Sequence, residues 1–127
     1  MVQATQANKP VVLVVEDEML IRMDIVDQIQ DAGFEVLQAG TADEAIAILE
    51  RNRNIHIVFT DVDMPGSMDG IKLAQAVRGR WPPIKIVVTS GQIKVRDEDM
   101  PDGGLFFDKP YNPKDVIRSL RELAHRS

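Results

Sequence analysis

Val11-Val12-Leu13-Val14-Val15 runs straight into Glu16-Asp17-Glu18: five aliphatic residues with no polar interruption, then three acids. A run so short and unalternating is the pattern of a strand buried on both faces, and such strands belong to parallel sheets covered by helices on either side. Ile57-Val58-Phe59 and Ile84-Lys85-Ile86-Val87-Val88 repeat it. Phe34-Glu35-Val36-Leu37-Gln38 and Leu105-Phe106-Phe107 are weaker and read as strands nearer the sheet edges.

Segments with helical spacing fill the intervals. Met19 to Asp31 carries Leu20, Met23, Ile25, Val26 and Ile29 and stops at Gly33, a favoured C-terminal residue. Thr41 and Glu44 have the spacing of a capping box ahead of Ala45, Ile46, Ile48 and Leu49. Asp69-Gly70-Ile71 opens a third helix with Leu73, Ala74 and Val77 on its apolar face, ending before Trp81-Pro82-Pro83. Asn112-Pro113 opens a last one, with Val116, Ile117, Leu120 and Leu123 inward. Residues 92–104 offer only Ile93, Val95 and Met100 for burial and are broken by Pro101 and Gly103-Gly104, so a short or frayed fourth helix is expected there. Five alternations of strand and helix predict an α/β three-layer sandwich on a parallel five-stranded sheet with right-handed crossovers.

Composition narrows the function. A chain of 127 residues, 44% hydrophobic, is one domain with one layered core, and residues 10–125 are assigned to it after a polar N-terminal tail at 1–9. The absence of cysteine excludes disulfides, thiol nucleophiles and cysteine-bound zinc. No leader-like or membrane-spanning stretch is present, so a soluble cytoplasmic protein is expected, with no membrane insertion. A net charge of −5 without a Lys/Arg block argues against nucleic acid as the main partner.

In parallel sheets the working site lies at the carboxyl ends of the strands. Glu16-Asp17-Glu18 follows the first strand, and Asp61 and Asp63 follow the third. Carboxylates gathered at one edge repel, which raises a pKa unless a cation intervenes, and Mg²⁺ suits a few carboxylates plus water and substrate oxygens. Taken singly, Asp17 is equally well a helix cap and Asp61 a strand terminator. Thr89-Ser90-Gly91 closes the fourth strand and Lys109-Pro110 follows the fifth, adding a hydroxyl donor and a compact cation. Phosphoryl transfer needs little beyond such positioning and charge neutralisation.

Residues 11–17, Phe59-Thr60-Asp61-Val62-Asp63-Met64-Pro65-Gly66-Ser67-Met68-Asp69-Gly70, Val87-Val88-Thr89-Ser90 and Asp108-Lys109-Pro110 resemble, in order and spacing, the receiver domain of two-component response regulators, over roughly residues 10–125. The resemblance implies a flavodoxin-like (βα)5 fold with strand order 2-1-3-4-5. It implies that Asp61 accepts a phosphoryl group from a phosphohistidine on a histidine kinase or histidine phosphotransfer protein. Asp17, Asp61 and the Asp63 backbone carbonyl would ligate Mg²⁺, with Glu16 acting through water. Thr89 and Lys109 would hold phosphoryl oxygens, Pro110 would follow a cis peptide bond, and Phe106 would be an aromatic switch coupled to Thr89. It further implies a phosphoacceptor signalling protein rather than an enzyme, beyond slow autodephosphorylation. With no output domain after residue 127, a stand-alone receiver is expected, acting on a downstream protein target or through a phosphorylation-dependent homodimer.

This sequence departs from the family pattern in places. Glu16 stands where Asp is commoner, and one residue is inserted at Gly66-Ser67. Asp63 lies near the path of a water attacking the phosphoaspartate, where it is expected to influence that intermediate's lifetime. Asp108 replaces a usually apolar residue and is expected to weaken the last strand. His56, at the opposite end of its strand, and His125 are read as structural or solvated. Three rival readings compete with the receiver. Asp61-Val62-Asp63 also resembles the nucleophile motif of haloacid-dehalogenase-type phosphatases, but Met64-Pro65 departs from the residues that come next in that motif. A flavin carrier would need a phosphate nest where this chain has acids. A receiver-like interaction module that is never phosphorylated is the third.

Overall fold

The computed structural model describes residues 9–64, 66, 68–91 and 95–125. Of the expected N-terminal tail, all but Lys9 lies outside the described residues. Strands β1 (Val11–Val15), β2 (Glu35–Ala39), β3 (Ile57–Asp61), β4 (Lys85–Ser90) and β5 (Leu105–Asp108) form one parallel sheet in the order β2-β1-β3-β4-β5. Helices α1 (Met19–Asp31), α2 (Ala42–Arg51), α3 (Gly70–Arg80) and α4 (Pro113–His125) cover it. β1 and β3 are buried along their whole length, which their unbroken apolar runs require, whereas the edge strands β2 and β5 are partly open.

Alternation along each strand divides the core into two layers. Val12, Val14, Ile57, Phe59 and Val87 face α1 and α4, meeting Ile25, Ile29, Val116 and Leu120. Val11, Leu13, Val15, Val58, Ile86 and Val88 face α2 and α3, meeting Ala45, Leu49, Leu73 and Val77. Ile25, Val26 and Ile29 of α1 are buried as their spacing predicts, but Leu20 and Met23 are not: they are 81% and 52% exposed, beside exposed Met19 and Ile21. α1 starts in the loop at the carboxyl edge of the sheet, so its first turns have little sheet beneath them.

The helix ends follow their chemistry. Gly33, at φ +102°, closes α1 in a left-handed conformation that other residues resist. The Thr41 hydroxyl accepts from the Glu44 N–H at 3.1 Å, while the Glu44 carboxylate reaches the N–H of Gly40, one residue before the cap. Asp69 caps α3 by accepting from the Lys72 N–H at 2.9 Å.

The short fourth helix expected over residues 92–104 is not α-helical among the described residues, where Asp97–Asp99 makes a single 3-10 turn. Residues 92–94 lie outside the described residues. The turn is tied locally: the Arg96 N–H donates to Asp99 Oδ2 at 3.2 Å, and Gln75 of α3 donates to the Asp99 carbonyl at 3.2 Å. Val95 and Met100 pack onto the α2/α3 side of the core, too few apolar contacts to hold a helix there. The expected weakening by Asp108 does not extend to the pairing, because Asp108 is exposed and still registers with Ser90 in the ladder.

Candidate functional site

The sheet register assembles the site. Asp61, the last residue of β3, pairs with Thr89 of β4, so the two side chains project from the same face of adjacent strands. The Val62 N–H carries the ladder one step further, to the Thr89 carbonyl at 2.8 Å. Glu16 extends β1 by donating its N–H to the Ala39 carbonyl at 3.1 Å. Lys109 extends β5 in the same way, onto the Ser90 carbonyl at 2.9 Å, ahead of a cis peptide bond to Pro110. Four strand ends thus deliver Glu16, Asp61, Thr89 and Lys109 to one place.

Gly70 makes the closest approach. A Cβ there would lie 2.1 Å from the Asp61 carbonyl oxygen and 2.7 Å from Val62 Cα, so the start of α3 sits against the backbone of the acid only because residue 70 has no side chain. Gly91 gives the Lys109 stem similar room, since a Cβ would meet its Cβ at 3.3 Å.

Lys109 Nζ lies 3.0 Å from Asp61 Oδ2 and 3.7 Å from Glu16 Oε1. Asp61 Oδ1 accepts from the Asp63 N–H at 3.2 Å, and Glu16 Oε2 from the Glu18 N–H at 3.1 Å. Carboxylate oxygens of Glu16, Asp17 and Asp61 lie within 4.8 Å of one another. Glu16 and Asp61 are buried, at 5% and 3% exposure, where unpaired charge is costly.

Burial pushes the Glu16 carboxyl up to about 7; Asp61 and Asp17 add repulsion, against opposition from the Glu18 N–H and the Lys109 ammonium. Asp61 is raised as well, chiefly by burial, although it holds the Lys109 ammonium and the Asp63 N–H. Lys109 is lowered by burial but raised more by Asp61, Glu16 and Asp63, and ends above its ordinary value. Both members of the Lys109–Asp61 pair are therefore raised, because one ammonium faces several acids and cannot offset the burial of two of them. The surplus of buried negative charge on an all-oxygen donor set fits a hard divalent cation such as Mg²⁺, and Glu16, Asp17 and Asp61 are the residues that would hold it.

The other expected site residues take distinct positions. The Asp63 carboxylate turns to the end of β4, accepting from the Gly91 N–H at 3.0 Å and from Ser90 Oγ at 3.4 Å. Phe106, half-buried, packs on the α2/α3 side of the core together with Val95 and Met100. At the position of the expected one-residue insertion, Gly66 has φ +108° and Ser67 lies outside the described residues. His56, at the far end of β3, accepts the Val11 N–H at Nδ1 (3.0 Å) and so caps the start of β1, a structural role.

Two residues near the acids were not anticipated. The Tyr111 ring meets Phe59 edge-on at 6.1 Å, and burial raises its hydroxyl to about 12, so it stays a neutral phenol. Arg22 of α1 donates from Nη1 to the Glu16 carbonyl at 2.7 Å and from Nε to Gln38 Oε1 at 3.1 Å. An aromatic just after Lys109-Pro110 and a lone Arg in an apolar helix start were the available signals.

An acidic trio, a hydroxyl and a lysine thus gather at the carboxyl edge of a parallel sheet of order 2-1-3-4-5. The family model for the response regulator receiver domain matches residues 12–121, and the chain belongs to that family. It is 33% identical over 119 residues to the sensor kinase CckA of Brucella abortus, a match that covers 91% of this chain and 12% of that protein. It is 33% identical over 116 residues to the transcriptional regulatory protein PdtaR of Mycobacterium tuberculosis, covering 89% of this chain and 55% of that protein. The chain therefore spans about half or less of the length of these relatives. In fold it is similar to a response regulator receiver protein from Sinorhizobium medicae, with a TM-score of 0.86 at 24% identity over 93% of this chain and 96% of the other. No helix among the described residues is long and apolar enough to cross a membrane.

Proposed function

We propose that Asp61 accepts a phosphoryl group from a phosphohistidine on a partner protein, in a Mg²⁺-dependent reaction, and that the phosphorylated domain signals through protein contacts. The observation that carries this is the Lys109 ammonium 3.0 Å from Asp61 Oδ2, beside the Glu16, Asp17 and Asp61 oxygens gathered within 4.8 Å. In the transfer an Asp61 carboxylate oxygen forms a bond to phosphorus while the phosphorus–nitrogen bond breaks, and the imidazole leaves with the electron pair and takes up a proton. The Asp63 N–H holds one Asp61 oxygen and Lys109 the other, so the carboxylate is oriented before the donor arrives. Lys109 then neutralises charge on the phosphoryl group, and the Thr89 hydroxyl donates to one of its oxygens. A bound Mg²⁺ supplies charge neutralisation for the acids and the phosphoryl oxygens. The Asp63 backbone carbonyl belongs to the same reading as a further ligand.

The partner surface is set by the exposed side chains. Met19, Leu20, Ile21 and Met23 stand out on α1 directly after the acids. Of these, Ile21 lines a groove of about 390 Å³ together with Asp24, Lys109, Pro110, Tyr111 and Pro113. An apolar face at the mouth of the site supports docking of the histidine-bearing protein there. Signalling would result when movement of Thr89 toward the phosphoryl group shifts Phe106 and the sparsely packed residues 95–104. Incubation with acetyl phosphate and Mg²⁺, then intact mass, tests the central step. Addition of one phosphoryl group is expected, and its absence, or equal addition to Asp61→Asn, would remove the proposal.

A further inference from the structure

Arg22 differs from every neighbour on the first turns of α1. Met19, Leu20, Ile21, Met23 and Asp24 are exposed, whereas Arg22 is half-buried and its guanidinium reaches back over the loop that carries the acids. Nη1 donates to the Glu16 carbonyl at 2.7 Å, a short charge-assisted bond, and Nε donates to the Gln38 side chain on β2 at 3.1 Å. Space for it is kept by Gly40, where a Cβ would come within 3.1 Å of Nη1. The carbonyl it holds is that of the peptide joining Glu16 to Asp17, the two acids that must turn together toward Asp61. The loop's other ties leave that carbonyl alone: the Glu16 N–H is in the ladder, the Glu18 N–H donates to the Glu16 carboxylate at 3.1 Å, and the Glu18 carbonyl accepts from the Arg22 N–H at 2.9 Å.

We infer that Arg22 is a positioning residue for the cation site: it sets the orientation of the Glu16–Asp17 peptide and ties the acidic loop to the edge strand through Gln38. This rests on the reading of the acids as a Mg²⁺ site. The geometry makes a prediction opposite in sign to that of a mere neighbouring charge. Removing a positive charge beside a cation site tightens cation binding by Coulomb's law, whereas loosening an outer partner of the ligands weakens it, typically ~10–100-fold.

The experiment is calorimetric titration of the unphosphorylated protein with Mg²⁺, together with the thermal midpoint in chelator. Arg22→Ala is expected to weaken Mg²⁺ binding by about tenfold or more. Arg22→Lys keeps the charge but not the planar two-pronged grip, and is expected to weaken binding as well. Gln38→Ala, at an exposed position, removes only the tether and is expected to weaken binding by a smaller factor. At saturating Mg²⁺ the rate of phosphorylation by acetyl phosphate should return to that of the parent. Unchanged or tighter binding in Arg22→Ala would overturn the inference. Should Arg22→Ala fail to fold, unchanged binding in both Arg22→Lys and Gln38→Ala would overturn it. Absence of Mg²⁺ binding in the parent would overturn the metal-site reading and the inference together.

Discussion

Replacing Glu16 by Gln in the metal-free protein changes how stability depends on pH, and the structure sets both sign and size. Burial, with repulsion from Asp61 and Asp17, moves the Glu16 carboxyl from 4.5 to about 7. A carboxyl that holds its proton more tightly in the folded than in the unfolded chain stabilises the fold fully below pH 4.5, and that contribution is lost as pH rises through about 7. At ~1.4 kcal/mol per pH unit over this interval, the loss is roughly 3 kcal/mol, little reduced by solvent because the side chain is 7% exposed. Asp61 is raised for the same chief reason and acts in the same direction. Thermal unfolding in chelator, monitored by circular dichroism, should show the parent losing about 10 °C between about pH 5 and pH 8. Glu16→Gln should be flatter and, at the upper end, more stable than the parent. Mg²⁺ should rescue the parent more at pH 8 than at pH 5, because protons and the cation compete for the same oxygens. Parent and variant curves running parallel across this range would refute the reasoning.

Other substitutions probe the remaining contacts. Gly70→Ala places a methyl 2.1 Å from the Asp61 carbonyl, where backbone cannot yield, and should cost roughly 2–3 kcal/mol in urea unfolding; unchanged stability would mean that α3 can lift off β3 freely. Lys109→Met removes the ammonium 3.0 Å from Asp61, and should slow phosphorylation by acetyl phosphate by more than tenfold while leaving the far-ultraviolet spectrum unchanged; a rate equal to the parent's would exclude Lys109 from the transfer. Asp63→Asn retains an acceptor for the Gly91 N–H but loses a proton-accepting carboxylate two residues past Asp61, and is expected to lengthen the lifetime of the acyl phosphate. Equal decay rates in parent and variant would sink that idea. Thr41→Ala loses the 3.1 Å cap to Glu44 and should lower stability by about 1 kcal/mol, with phosphorylation unaffected.

Much of the architecture could be read from local pattern. β1, β3 and β4 are buried runs with no polar face, and that state imposes an apolar sequence whatever the neighbours are. Helix ends were equally legible where one residue decides them, as at Gly33 and Asp69. The gathering of Glu16, Asp17 and Asp61 was legible because each stands at or just past a strand end, and parallel strands deliver those residues to one edge. Less could be read where packing competes. Leu20 and Met23 have helical spacing yet no layer beneath them, and among the described residues 95–104 Val95 and Met100 are too few apolar side chains to hold an α-helix against Pro101 and Gly103, where a single 3-10 turn forms instead.

By itself, then, the sequence determined the strands, the two-layer core and the row of Glu16, Asp17, Asp61, Thr89 and Lys109, because these depend on periodicity and on the position of each residue at or just past a strand end. The tertiary structure alone decided that Asp63 turns toward Gly91, that Glu44 caps Gly40, and that Arg22 reaches across to Glu16 and Gln38. Each of these is a choice of hydrogen-bond partner, made locally at the start of α2 for Glu44 and among groups brought together only by the fold for Asp63 with Gly91 and Arg22 with Gln38. Ångström-scale geometry makes that choice, and residue type does not.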